Sequence, residues 1–107
     1  WHQWQSELYR LQGELYLQQY GVAPLPQDLS ARIEAYFQQA IAIARQQHAK
    51  SAELRATLSL SRFRLHQGQP VAAYQPLAAL YAWFTEGFDT TDLQEAKLLL
   101  DRLAPMP

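Results

Sequence analysis

Along most of the chain, large apolar residues return at every third or fourth position, and the rhythm breaks where glycine and proline stand. A period near 3.6 gathers such residues on one face of an α-helix, whereas a half-buried strand needs strict alternation. Residue usage agrees: Leu (17), Ala (16) and Gln (14) dominate, all good helix formers, while Val and Ile are scarce. The chain therefore reads as all-α with about five helices.

The first helix carries Trp1, Trp4, Leu8, Leu11 and Leu15 as one stripe, with Tyr9, Tyr16 and Tyr20 adjoining it. Gly13 lies inside it at a cost of up to about 1 kcal/mol relative to Ala, which suggests that a neighbouring helix comes close there. The Pro-rich segment 21–26 stops this helix, because a residue before proline is pushed out of α geometry. A second helix, from about Asp28 to Gln47, repeats the pattern through Leu29, Ile33, Phe37, Ala40, Ile41 and Ala44.

A third helix opens near Ser51, a suitable N-cap, with Glu53 in its first turn. Leu54, Leu58, Ser61 and Leu65 share one face, and Ala56, Leu60 and Phe63 lie beside it. Gly68 ends it and Pro70 starts the fourth helix, which runs to Phe84 with Pro76 inside it, where a kink or a lost hydrogen bond is expected. After a turn at 85–89, Thr91 and Gln94 form a capping box for a fifth helix over 91–103. The expected core includes Leu8, Leu11, Leu15, Phe37, Ala40, Leu54, Leu58, Leu77, Tyr81, Leu93 and Leu100. Trp83 and Phe84 are expected to anchor the last helix, with Phe88 packing from the turn.

At 107 residues and 12.3 kDa this is one small domain. A net charge of −1 and 18% charged residues give no sign of a disordered tail. The absence of Cys removes disulfides, thiolate metal sites and cysteine nucleophiles. No apolar run or leader marks a membrane span or secretion, so a soluble, cytoplasmic protein is expected. A start at Trp1 rather than Met suggests a piece of a longer chain.

Sequence features of chemistry are sparse. His2, His48 and His66 show no metal-ligand spacing, and neither a phosphate-binding glycine loop nor a serine-nucleophile motif occurs. Asp89, Asp92 and Glu95 lack the pattern of a calcium loop and read as helix N-terminal charges. No enzyme, cofactor or metal is expected.

Self-similarity gives the organisation. Tyr9, Gly13 and Tyr16, followed by Phe37 and Ala40, resemble the signature of a tetratricopeptide (TPR) repeat, a 34-residue helical hairpin. Eight or so extra residues are needed between them, and the segment at 21–28 supplies them. Ser61, Gly68, Ala73, Leu77 and Leu80 align as a second repeat. This implies a right-handed α-α superhelix: a first hairpin over 1–47, a second over 48–85 and a C-terminal capping helix over 89–104. The run Tyr81-Ala-Trp-Phe-Thr-Glu-Gly-Phe-Asp-Thr-Thr-Asp-Leu-Gln-Glu-Ala-Lys97 and the segment 7–15 are similar to a particular C-terminal region. It is the TPR array of bacterial multidomain proteins that join a nucleotide cyclase or transcription-factor module to a signalling ATPase. The resemblance carries no catalytic residue across and implies a protein-binding or interdomain module of a larger signalling protein.

Charge is unevenly spread. Residues 45–66 hold Arg45, Lys50, Arg55, Arg62 and Arg64 against Glu53 alone, between two acidic flanks. The simplest account is a solvated face that complements its neighbours. The sharper one follows from repeat geometry, in which the first helix of each hairpin lines a concave groove. That places Arg55, Leu58, Arg62, Leu65 and His66 in the groove, with Glu7, Arg10, Glu14, Leu17 and Gln18 as first-repeat equivalents. Arg suits bidentate carboxylate recognition, so an acidic peptide, or an acidic segment or upstream domain of the same chain, is the expected partner. Nucleic acid is disfavoured by a pI near 6.3 and acidic flanks, and a membrane surface by the basic helix's share in the core. Other possibilities stay open: a purely structural solenoid cap, a small-molecule sensor, for which the sequence gives no supporting polar constellation, and self-association through N-terminal aromatics whose array neighbour is missing.

Overall fold

The computed structural model describes residues 4–20, 25–84 and 90–104, with the backbone alone at Tyr20. Five helices appear: α1 (Trp4–Tyr20), α2 (Gln27–Gln46), α3 (Lys50–His66), α4 (Pro70–Trp83) and α5 (Thr91–Leu103), and no strand occurs among the described residues. Each helix packs on the next; α3 also touches α1 and α5, whereas α2 and α4 are not neighbours. The odd-numbered helices thus form one layer and the even-numbered ones a second. The shortest dimension, 19 Å, matches two helix layers packed 8–10 Å apart. Trp1, His2, the segment 21–24, the turn expected at 85–89 with Phe88, and Pro105 and Pro107 lie outside the described residues.

α3 is the axis of this arrangement, and ten of its residues are buried. Six of these are apolar, and Glu53, Thr57, Ser59 and Ser61 are buried with them, so α3 has partners on most sides. Leu54 and Leu58 join Leu77 and Leu80 of α4 and Leu93, Ala96 and Leu99 of α5 in one cluster. Ala56, Leu60 and Phe63 join Ile33, Phe37 and Ala40 of α2 in another, against which Tyr16 and Leu17 of α1 pack. The two adjacent stripes predicted for this helix therefore feed two cores.

The α1–α2 contact is built on small residues. An added Cβ at Gly13 would sit 2.7 Å from Cε1 of the fully buried Phe37, so the helices meet where only glycine fits. Ser6 Oγ, buried about two turns earlier, donates to the Ala40 carbonyl at 2.8 Å. Between α3 and α4, Ser61 Oγ likewise donates to a backbone carbonyl, that of Ala73, also at 2.8 Å.

This contact overturns the expectation for Leu8, Leu11 and Leu15. They are exposed by 60%, 46% and 62%, and Trp4 by 68%, because the close approach at Ser6 and Gly13 turns the opposite face toward α2. The apolar stripe is real, but it points out of the fold. Trp83 is likewise 57% exposed, edge-on to Phe84 with Lys50 Nζ 4.9 Å above its ring, so it does not anchor α5. Phe84, Tyr81 and Leu100 are half-buried against the α3–α4–α5 cluster.

The connections follow a shared chemistry. After α2 and after α3 a residue in the left-handed region (His48, φ 55°; Gly68, φ 74°) lets the next amide reach back five residues, Ala49 to Ala44 and Gln69 to Arg64. This is a Schellman turn, for which glycine is the usual choice and histidine a strained one. The first turn leaves Ala49 at the cap, so α3 starts at Lys50 without the Ser51 cap. At α5 the cap is Thr90, in extended geometry with Oγ1 accepting from the Leu93 amide, rather than Thr91. Pro70 opens α4 as expected.

Pro76 lies within α4, and its missing N–H leaves the Ala72 carbonyl without the usual donor four residues on. Arg64 of α3 supplies one: Nη1 donates to the Ala72 oxygen at 3.0 Å, while Nε bonds Glu34 Oε1 of α2 at 3.1 Å. One guanidinium thus fastens three helices.

Candidate functional site

Every basic side chain from Arg45 to Arg64 has a carboxylate within reach. Arg45 Nε and Lys50 Nζ bond Glu53 at 2.9 and 3.2 Å, Arg55 Nε lies 3.1 Å from Glu7, Arg62 Nη2 is 2.9 Å from Glu95, and Arg64 is on Glu34. Glu53 is 3% exposed, so its two bonds compensate a buried charge. The other carboxylates come from the acidic flanks, on α1, α2 and α5. Much of the charge asymmetry is therefore neutralised inside the molecule, in partly exposed pairs that contribute little each.

The residues expected in the groove fall into two groups. At the α1–α3 junction, Glu7 is held between Arg10 (Nη2 to Oε2, 2.9 Å) and Arg55, and Glu14 further along α1 is half-buried, with no ion pair among the described residues. At the α3–α5 junction lie Arg62 and His66. Leu58 belongs to neither: at 1% exposure it is core, because α3 turns that face toward α4 and α5.

The α3–α5 junction is concave. A cleft of about 440 Å³ is lined by Arg62, Leu65, His66, Leu99 and Arg102, and a shallower one of about 220 Å³ continues it past Glu95 and Leu98. Three cationic or titratable side chains thus rim two leucines, with Glu95, shared with Arg62, as the one carboxylate lining these two clefts. Arg102 makes no ion pair among the described residues. No motif in the sequence singles it out. Laying α5 beside α3, as the repeat alignment requires, was the signal that would have placed it opposite Arg62.

A second feature is an aromatic row between α1 and α2. Tyr16 and Tyr36 stack with centroids 5.6 Å apart, and Tyr9 lies 6.3 Å from Tyr36. Partial removal from water, and then the hydrogen bond with Tyr16, raise the Tyr36 hydroxyl above its ordinary value of 10.0. Among the described residues, no cluster of three or more His, Asp or Glu could hold a metal ion, and no helix is long and apolar enough to cross a membrane. No family model, curated protein or solved structure matches the chain.

Proposed function

We propose that the chain is a non-catalytic interaction module of TPR-like helical hairpins, cytoplasmic and part of a larger bacterial signalling protein, that binds an acidic peptide or interdomain segment. The observation that carries this reading is the α3–α5 cleft, where Arg62, His66 and Arg102 surround Leu65 and Leu99. A carboxylate entering there meets the Arg102 guanidinium, which has no ion pair among the described residues, and a neighbouring apolar side chain finds the two leucines. The repeat reading draws support from the two-layer zigzag and from Gly13 and Ser61, which the repeat alignment pairs and which each lie at a hairpin contact.

The test is a titration of the ¹⁵N-labelled chain with a synthetic peptide alternating Glu and Leu, beside one in which every Glu is Gln. Shifts confined to α3 and α5, seen with the acidic peptide and lost in Arg62→Glu, Arg102→Glu, are expected. Equal response to both peptides, or a folded double variant that binds as well as wild type, refutes the reading.

A structural cap is the second reading. It is favoured by Gln94, Lys97 and Asp101, polar residues exposed on the outward side of α5 as a terminal helix requires, although Tyr81, Leu93 and Leu98 line an apolar cleft among them. A cap binds neither peptide.

A further inference from the structure

The outer face of α1 has a pattern that the core does not use. Trp4, Leu8, Leu11 and Leu15 succeed one another at spacings of four, three and four, the repeat of a two-stranded seam, and all four are exposed. Ser6 and Gly13, which contact α2, lie on the opposite side of the helix, so α2 leaves the seam uncovered. Gln5, Gln12 and Gln19 border it on one side and Glu7 and Glu14 on the other.

We infer that this face is a self-association surface that takes α1 of a second copy of the chain, antiparallel. Two features select that occupant and that direction. The 4-3-4 spacing reads the same in both directions, so an antiparallel copy sets Leu8 against Leu11 of its mate and the large Trp4 against the smaller Leu15. A parallel copy instead sets Trp4 against Trp4. Charge agrees: Glu7 sits between Arg10 and Arg55, a cluster with one net positive charge, while Glu14 has no ion pair among the described residues. The antiparallel arrangement brings Glu14 of each copy to the Glu7 cluster of the other, twice over the twofold, and places Gln5 beside Gln12 on the far flank. The same surface thus complements itself, as a twofold interface must. The α3–α5 cleft plays no part in this contact, so either idea can fail without the other.

A seam of 17-residue helices is at the small end of stable interfaces, so association in the micromolar range is expected. Sedimentation equilibrium from about 1 µM to about 1 mM should show the mass rising from 12.3 kDa toward twice that value. Leu8→Gln, Leu11→Gln changes only exposed side chains and should keep the helical circular dichroism while weakening association at least about tenfold. Glu14→Arg should weaken it at low salt, with the difference shrinking as salt is added. Because the chain has no cysteine, direction can be read by disulfide trapping. A mixture of Gln5→Cys and Gln12→Cys chains should form the mixed disulfide in preference to either self-disulfide. A wild-type chain that stays monomeric throughout, a dimer indifferent to the leucine changes, or preferred self-linking of Gln12→Cys overturns the proposal.

Discussion

Replacing Arg64 with Met keeps most of the stem that packs between helices and deletes both guanidinium bonds, to the Ala72 carbonyl and to Glu34. The first loss is the larger. Arg64 is only 16% exposed, and Pro76 has no N–H to replace the donor, so the Ala72 oxygen is stranded. A stranded, partly buried acceptor costs about 1–3 kcal/mol. The Glu34 carboxylate is 38% exposed and can turn to water, so its share is about 0.5–1 kcal/mol. Arg64→Met should therefore destabilise by about 1.5–4 kcal/mol, a fall in Tm of roughly 4–8 °C per kcal/mol in a chain this size. Pro76→Ala provides the control, because the alanine restores a backbone amide that can donate to the Ala72 carbonyl. In that background Arg64→Met should cost only the Glu34 share, leaving a coupling of about 1–3 kcal/mol between two residues on different helices. Urea unfolding followed by circular dichroism measures all four corners of the cycle. If Arg64→Met costs the same in the wild-type and Pro76→Ala backgrounds, to within about 0.5 kcal/mol, the guanidinium is not serving the proline's orphaned carbonyl and the reasoning fails.

Gly13→Ala should destabilise by about 1–2 kcal/mol, the clash with Phe37 exceeding the gain in helix propensity, and the same urea titration checks it; a more stable variant would show that the helices do not meet there. The two left-handed turn residues should respond in opposite directions. His48→Gly should stabilise by about 0.5–1 kcal/mol and Gly68→Ala should destabilise by about 1 kcal/mol, both read from thermal unfolding. Because the folded state holds the Tyr36 proton more tightly than the unfolded chain, its contribution to stability is complete below pH 10 and declines as pH rises beyond it. Tyr36→Phe should lessen that alkaline decline in Tm measured between about pH 8 and 11, and an unaltered slope would rule the tyrosine out as its source.

Helix number and most core positions were legible in the chain because they depend on local periodicity. Ile33, Phe37, Ala40, Leu54, Leu58, Leu77 and Leu93 all lie on apolar stripes and all are buried. Caps were harder, since adjacent candidates such as Thr90 and Thr91 differ by a single residue and only the backbone geometry at Thr90 selects one. The candidate site was half visible. Arg62 and His66 share a helix face and could be grouped from spacing alone, whereas Arg102 is far away in sequence and joins them only through the packing of α5 on α3.

By itself the sequence determined that this is an all-helical protein with a central basic helix and with close contacts at its small residues, because periodicity, propensity and turn chemistry act over a few neighbouring positions. Tertiary structure alone decided which side of α1 faces inward and which carboxylate each arginine meets. A helix with an apolar stripe on one side and Ser6 and Gly13 on the other can bury either. Only the approach of α2, with the Phe37 ring filling the space above Gly13, settled that the small residues go in and the leucines stay out.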